Sequence, residues 1–401
     1  MYGALRHLEA IAWKRRPIQL TFFVTRRCTL RCPFCFYLRS ADPPPAAAPE
    51  LSLAEVERIS RSLGSLLWVA FSGGEVFLRD DLAEISRTFY ENTRPAVMLY
   101  PTNGDLPALI RDRTEEIAAH CRKSVIAVKL SLDGIGPAHD ALRGRSGSFE
   151  RVMETCRLLA PLLPRYPNLE LGINTVMCSD NQDEMDAVMD FARGLPAVST
   201  HTVSLARGRL LEPRYTQVDA RAYARVSQRL AAELGRGGPG LYRFAGARLK
   251  AAQDILQRRL IHRTLLARRR LTRCYAGRLN LVLTETGEVY PCELAVEGLG
   301  NVREHGYDMR RLLGSERARR VRASIGTGRC HCTHECYAMT NILFNPRWYP
   351  ALAREYLRLL APAARPGRAV PAGADRTCPA GPIARRDFAL PWRRPPGRGG
   401  S

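Results

Sequence analysis

No apolar run in the 401 residues approaches the roughly 20 needed to span a bilayer, which argues against a transmembrane helix. The opening stretch Met1 to Arg16 is broken by Arg6, Glu9, Lys14, Arg15 and Arg16, so it lacks the apolar core and cleavage site of a secretory signal. A cytoplasmic, reducing setting is therefore expected, where twelve cysteines suit metal binding better than disulfides. Acidic residues are scarce as well: 39 Asp plus Glu face 61 Lys plus Arg, for a formal charge of +22. Such a field would attract phosphate, nucleic acid, an acidic peptide or an anionic membrane surface. The basic residues are nevertheless dispersed as on solvated helix faces, and concentrate only at Arg258 to Arg273 and in the tail. The length excludes a disulfide-stapled miniprotein and suits one large α/β domain plus a smaller one.

From Ile18 to Leu205, short apolar runs alternate with longer stretches of helical period, the pattern of repeated β-α units around a parallel sheet. Six strands are expected: Ile18 to Val24, Leu67 to Phe71, Ala96 to Tyr100, Val125 to Leu132, Leu169 to Val176 and Thr200 to Leu205. Ser52 with Glu55 has the form of a capping box opening a helix, and Asp81 to Tyr90 reads as a second. Ser148 to Leu163 shows an amphipathic repeat, and Asn181 to Arg193 continues the series. Asp42 to Pro49 is expected to be an exposed connection.

The expected organisation is an N-terminal extension over 1–16, a core domain over 17–207, a helical bridge over 208–272 and a small cysteine-rich domain over 273–346. A C-terminal extension follows over 347–401, whose Pro-, Arg- and Gly-rich tail from about 362 is too poor in large apolar residues to fold alone. Within the bridge, Asp219 to Leu234 and Phe244 to Arg270 read as helices around the turn Gly235 to Gly240. The small domain opens on a hairpin around Thr286-Gly287.

Three cysteines in the run Cys28-Thr-Leu-Arg-Cys32-Pro-Phe-Cys35 are spaced C-x3-C-x2-C, which suits thiolate capture of a cubane iron-sulfur cluster. A cubane is normally held by four thiolates, so this loop leaves one iron open to an exchangeable ligand. A structural zinc loop is the plain alternative, but zinc would want a fourth Cys or His nearby and the loop holds none. In parallel α/β sheets, ligands bind beyond the carboxyl ends of the strands, and the unusual residues fall there. Strand one leads into the cysteine loop, strand two into Ser72-Gly73-Gly74-Glu75, strand three into Pro101-Thr102-Asn103-Gly104 and strand four into Ser131-Leu132-Asp133-Gly134. Glycines after a strand let backbone amides approach a ligand, and Glu75 offers a carboxylate to a cationic group. Asp133-Gly134 is equally an ordinary turn.

Together these residues resemble the radical S-adenosylmethionine (SAM) enzymes, over roughly Ile18 to Leu205. The resemblance implies a partial (β/α)6 TIM-like barrel and a [4Fe-4S] cluster on Cys28, Cys32 and Cys35, its open iron chelated by the amino and carboxylate groups of SAM. Gly73, Gly74 and Glu75 would line the place of the methionine amino group, with Asn103, Ser131 and Asp133 beside the cofactor. Phe34 would pack near the adenine, Leu205 would form part of the adenine wall, and Arg143 in His139-Asp-Ala-Leu-Arg143-Gly would pair with the SAM carboxylate. The implied chemistry is one-electron cleavage of SAM to methionine and a 5'-deoxyadenosyl radical, which abstracts a hydrogen atom from a substrate kept from water and oxygen.

Cys274, Gly287 and Cys292, followed by Cys330-His-Cys332-Thr-His-Glu-Cys336, resemble the auxiliary-cluster region of the SPASM and twitch radical SAM subfamilies. The hairpin half, C-x17-C with Gly287 five residues before Cys292, follows the pattern. The SPASM knuckle would read C-x2-C-x5-C-x3-C with a further Cys, whereas this chain has C-x-C-x3-C and then only Cys378. Five cysteines satisfy one four-thiolate cluster with one spare. One auxiliary [4Fe-4S] cluster is thus implied, on Cys274 and Cys292 with two of Cys330, Cys332 and Cys336, the pair Cys332 and Cys336 being favoured. His331 and His334 read as hydrogen-bonding neighbours, and a zinc site from the same residues is the alternative. Glu293 stands where the sulfatase-maturing SPASM enzymes carry an acidic proton acceptor, though a surface carboxylate at a turn is the ordinary reading. Cys121, Cys156 and Cys178 read as core thiols.

The sequence thus points to an oxygen-sensitive radical SAM oxidoreductase acting on a small metabolite or a peptide, served by a reductant such as flavodoxin or ferredoxin. Because the cysteine loop begins at Cys28, no leader-peptide-binding domain is expected before it, which leans toward a metabolite. An RNA-modifying radical SAM protein would instead grip phosphate with the basic helix and tail. An iron-sulfur electron carrier or redox sensor would leave Gly73, Gly74, Glu75 and Arg143 without a task.

Overall fold

The computed structural model describes residues 1–38, 48–235, 246–327 and 330–360. Cys378 and the tail, most of the Asp42 to Pro49 connection and most of the Gly235 to Gly240 turn lie outside the described residues. The six expected strands are present as β1 (Gln19–Thr25), β2 (Trp68–Gly73), β3 (Val97–Thr102), β4 (Val125–Ser131), β5 (Leu169–Met177) and β6 (Thr200–Leu205). Three more follow: β7 (Asn280–Leu283), β8 (Glu288–Tyr290) and β9 (Gly300–Asn301). All nine join one sheet in the order β6-β5-β4-β3-β2-β1-β7-β8-β9. Neighbours from β6 through to β7 pair in parallel, while β8 and β9 add antiparallel strands.

Alternation along these strands divides core from cavity, because successive side chains point to opposite faces. Leu20 and Phe22 of β1, Val69 and Phe71 of β2, Ile126 and Val128 of β4, and Leu171 and Ile173 of β5 face a continuous apolar core. Helices Leu53–Leu63, Leu82–Thr93, Pro107–His120 and Ser148–Leu159 complete that core with Val56, Ile59, Ile85, Phe89, Ile117, Val152 and Leu159. The alternate residues Thr21, Ala70, Leu99, Ala127, Lys129 and Glu170 line an interior cavity. Helices thus cover the outer face of the sheet, and its inner face encloses the cavity.

Local signals behave as their chemistry dictates. Ser52 Oγ accepts from Glu55 N at 3.3 Å and Glu55 Oε2 accepts from Ser52 N at 2.8 Å, a complete capping box. The amphipathic run after Ser148 is split near Pro161, which has no N–H to continue the ladder, into Ser148–Leu159 and Leu162–Arg165. Pro107–His120 is a helix the apolar pattern barely signals, its buried side being built on Ile110, Thr114, Ile117 and Ala118.

The cysteine-rich region does not form a sheet of its own. β7 pairs with β1 from Gln19↔Asn280 to Phe22↔Leu283, so the hairpin extends the barrel sheet and covers the edge that β1 would otherwise expose. Asn280 Nδ2 and Thr340 Oγ1 both donate to Gln19 Oε1, at 2.6 and 2.9 Å. Farther along, Arg303 Nε and Tyr307 Oη each donate to Glu55 Oε1 at 2.9 Å, tying the segment after β9 to the first barrel helix. Among the described residues no helix is long and apolar enough to cross a membrane.

Candidate active site

At the carboxyl ends of the strands a cavity of about 350 Å³ opens between the barrel and the cysteine-rich region. Cys28, Cys32, Cys35, Gly73, Gly74, Asn103, Ser131, Arg143 and Leu205 line it from the barrel, and Glu293, His334, Glu335 and Cys336 line it from the other side. Phe34 forms another part of the wall, packed with Leu142, Cys178, Ala206 and Tyr215. Three expected core thiols, Cys121, Cys156 and Cys178, are fully buried.

Each cysteine of the loop receives an N–H. Leu30 N points to Cys28 Sγ at 3.5 Å, Leu38 N to Cys35 Sγ at 3.3 Å and Arg143 Nη1 to Cys32 Sγ at 3.7 Å. Asn103 Nδ2 reaches Cys28 Sγ at 3.6 Å and Thr29 Oγ1 at 3.2 Å, bringing the β3 end onto the loop. Donors aimed at sulfur stabilise thiolates and tune a bound cluster. Burial works against them, pushing the Cys28 thiol up to about 11 and Cys32 upward too, so metal capture would release protons.

Gly73 and Gly74 make the closest backbone approach in the site. Gly73 has φ +140°, and a Cβ there would strike the Thr25 carbonyl, while one at Gly74 would strike that of Arg27. Gly74 N and Glu75 N donate to those same carbonyls at 2.8 Å, fastening the β2 end to the start of the cysteine loop. The Glu75 side chain is buried and absent from the cavity wall. It accepts from Asn103 N and Thr102 Oγ1 at 2.8 Å and from Phe77 N at 3.3 Å, and burial pushes its carboxyl up to about 7. Its observed work is to hold the β3 loop.

Asp133 also lies behind the cavity wall. Its Oδ1 accepts from Val176 N at 2.7 Å, and its Oδ2 pairs with Arg143 Nη2 at 2.6 Å. Arg143 lies over Phe34, 5.7 Å from the ring centre, and its Nε is buried without a hydrogen-bond partner. An open, fixed guanidinium N–H beside the cysteine loop can receive a carboxylate.

On the opposite wall, Glu293 Oε2 stands 2.7 Å from His334 Nε2 and 3.5 Å from Arg207 Nη2, and Arg207 Nη1 stands 3.0 Å from Glu335 Oε2. Burial would raise the Glu293 carboxyl, but His334 and Arg207 hold it down to about 2. Burial and Arg207 depress His334, yet Glu293 carries it up to about 9. The expected proton acceptor is thus an already ionised, doubly paired carboxylate, a weak base at neutral pH.

The remaining thiols divide by neighbourhood. After burial, Cys274 is pushed up by Cys330, Cys292 to about 12 by Cys274, Glu293 and Cys330, and Cys332 to about 12 by Cys292 and Cys274. Cys336 lines the cavity, whereas Cys332 does not, and both lie near Arg207. The described residues hold no three His, Cys, Asp or Glu side chains close enough to share a single ion. A cubane spreads its thiolates over four irons and does not need such a group.

Sequence reasoning missed Arg207, Lys129, Glu170, Asp254 and Arg258, all of which line the cavity. Arg207 stands two residues past β6, where the strand-end rule applies. Lys129 and Glu170 interrupt otherwise apolar strands, which is itself a signal of a polar interior.

Comparison with known proteins adds to this geometry. Residues 22–192 match the family model described as the radical SAM superfamily. The subtilosin biosynthesis protein AlbA of Bacillus subtilis is 27% identical over 299 residues, 73% of this chain and 59% of its own length. The PqqA peptide cyclase of Rhodopseudomonas palustris is 30% identical over 184 residues, 45% of each chain. This chain therefore spans less than two thirds of these curated relatives. Among solved structures, anSMEcpe with bound AdoMet superposes with TM-score 0.57 at 17% identity, over 86% of this chain and 98% of that one. SuiB bound to precursor peptide SuiA gives TM-score 0.53 at 15% identity, over 78% and 68%. At those identities the likeness concerns the fold, which extends through the cysteine-rich region. The cysteine loop and the glycine edge both fall inside residues 22–192, the part of the chain that matches the radical SAM superfamily.

Proposed function

We propose that this protein is a radical SAM oxidoreductase that modifies a peptide. The observation that carries the reading is the convergence of Cys28, Cys32 and Cys35, the Gly73-Gly74 edge and the open Arg143 Nε on one cavity. Those residues fit a SAM-ligated [4Fe-4S] cluster: three thiols with N–H donors, two glycines where a Cβ has no room, and a buried cation for a carboxylate. When bound, such a pair supplies a carbon-centred radical able to abstract hydrogen. The chain's own part is to orient and enclose. Asp133 and His139 fix the arginine and the β4 end, Glu75 fixes the β3 loop, and Phe34 and Leu205 offer an apolar wall to the adenine.

In the same reading, Cys274, Cys292, Cys330 and Cys332 hold one auxiliary cluster, and Cys336 stays on the cavity wall. This differs from the expected pairing of Cys332 with Cys336, and it is favoured by the neighbourhood in which Cys330 acts on Cys274 and Cys292, and those two act on Cys332. A peptide is preferred to a small metabolite because one relative is named PqqA peptide cyclase, AlbA is named for biosynthesis of the bacteriocin subtilosin, and SuiB has been solved with its precursor peptide. A low-potential donor of the flavodoxin or ferredoxin kind would supply the electron.

Iron analysis and electron paramagnetic resonance after anaerobic reconstitution test the reading. About eight irons per chain are expected, falling by about four in the Cys28, Cys32, Cys35 triple alanine variant. The signal of the reduced protein should change on adding SAM. A reconstituted chain whose reduced signal ignores saturating SAM contradicts it.

A further inference from the structure

The inner part of the cavity, away from the cysteine loop, is lined by charged side chains that the SAM site leaves unused. They are Lys129 of β4, Glu170 of β5, and Lys250, Asp254 and Arg258 of the helix Ala247–Ala267. Lys250 pairs with Asp254, and Lys129 donates to Thr200 Oγ1. Arg258 is different. It is 8% exposed, and its Nη1 is buried with no hydrogen-bond partner. Trp68 lines the same cavity, and its indole N–H is likewise buried and unpartnered.

An open N–H on a buried guanidinium is costly in the free protein, and a ligand that accepts from it removes that cost. The local charge narrows the ligand. Lys129, Lys250 and Arg258 oppose Glu170 and Asp254, three cations against two carboxylates, a surplus of one positive charge. Burial pushes the Lys129 ammonium down to about 8, so it still counts as mostly charged at neutral pH. A single carboxylate balances this lining, whereas a phosphate dianion would overshoot it beside two acids.

We propose that Arg258 binds a carboxylate of the substrate inside the barrel, with the Trp68 indole N–H as a second donor. The substrate is then an acid: a peptide presenting either an Asp or Glu side chain or its own C-terminus. This rests on the reading that the barrel cavity holds the substrate, and it assigns a specificity role to a helix whose basic run looks from sequence like a solvated face.

Isothermal titration of the reconstituted chain under anaerobic conditions tests it with four probes: N-acetylglutamate amide, N-acetylalanine, N-acetylglutamine amide and inorganic phosphate. The first two present side-chain and terminal carboxylates, and the tighter of them identifies the source. Saturable binding of at least one is expected, with affinity reduced about ten-fold or more in Arg258→Gln and several-fold in Trp68→Phe. Should Arg258→Gln not fold, Arg258→Lys keeps the charge but loses the forked donors and carries the same comparison. Failure of both acids to bind, equal binding of the neutral amide or phosphate, or unchanged affinity in the Arg258 variant overturns the proposal. The titration needs no SAM cleavage, so acid binding without 5'-deoxyadenosine production would sink the functional reading alone.

Discussion

Arg143 Nη2 stands 2.6 Å from Asp133 Oδ2, with the two side chains 9% and 0% exposed, and the same guanidinium reaches Cys32 Sγ through Nη1 at 3.7 Å. A carboxylate outside the cavity thus aims a cation at the cysteine loop. Removing one partner of a buried ion pair leaves the other uncompensated, at a cost of roughly 3 kcal/mol or more. Asp133→Asn is expected to lower stability by about that amount and to weaken SAM binding while the three cysteines remain. Urea unfolding and equilibrium dialysis with SAM check both.

His139 provides the pH test. It is fully buried, its Nδ1 accepts from Asp133 N at 3.2 Å, and burial pushes it down to about 3. The unfolded chain takes up this proton near pH 6.5 and the folded chain does not, so stability is present above about pH 6.5 and is lost as pH falls toward 3. At pH 5 the loss from this one group is about 2 kcal/mol. His139→Asn keeps an acceptor but not the titration, so the drop in unfolding free energy between pH 7.5 and 5 should shrink by about that amount.

Gly74→Ala sets a Cβ against the Arg27 carbonyl, where backbone must move. The barrel should persist by circular dichroism, but the cysteine loop is displaced. Iron loading at Cys28, Cys32 and Cys35 or SAM affinity is expected to fall by ten-fold or more, and unchanged values for both would contradict the tight fastening of β2 to the loop.

Glu293→Gln separates a tie from a base. With His334 and Arg207 on either side of the carboxylate, its loss should destabilise the protein by roughly 2–4 kcal/mol. SAM cleavage by the folded fraction is expected to stay within a few-fold. A large loss of turnover with unchanged stability would restore Glu293 as an acid-base group.

The six barrel strands were readable because β-branched and aromatic runs alternate with stretches of helical period, and their observed bounds differ from the expected ones by only a residue or two. The cysteine loop and Gly73-Gly74 were readable because few other residue types can serve there. Other features depend on distant pairing. That Asn280 aligns with Gln19, merging the hairpin with the barrel, leaves no periodic trace in either segment. Glu75 and Asp133 look like ligands in sequence, but their carboxylates turn to backbone amides and to Thr102 and Arg143 within the barrel rim. Arg258 has the same company as its exposed basic neighbours, and only the packing of its helix turns it inward.

The most direct measurement is 5'-deoxyadenosine formed by the anaerobically reconstituted, dithionite-reduced chain given SAM, alongside Cys32→Ala. The parent protein is expected to produce it, with stimulation by a true substrate, and the variant none above background. Intact cluster and SAM binding with no 5'-deoxyadenosine, even when candidate peptides are present, would contradict the proposed function.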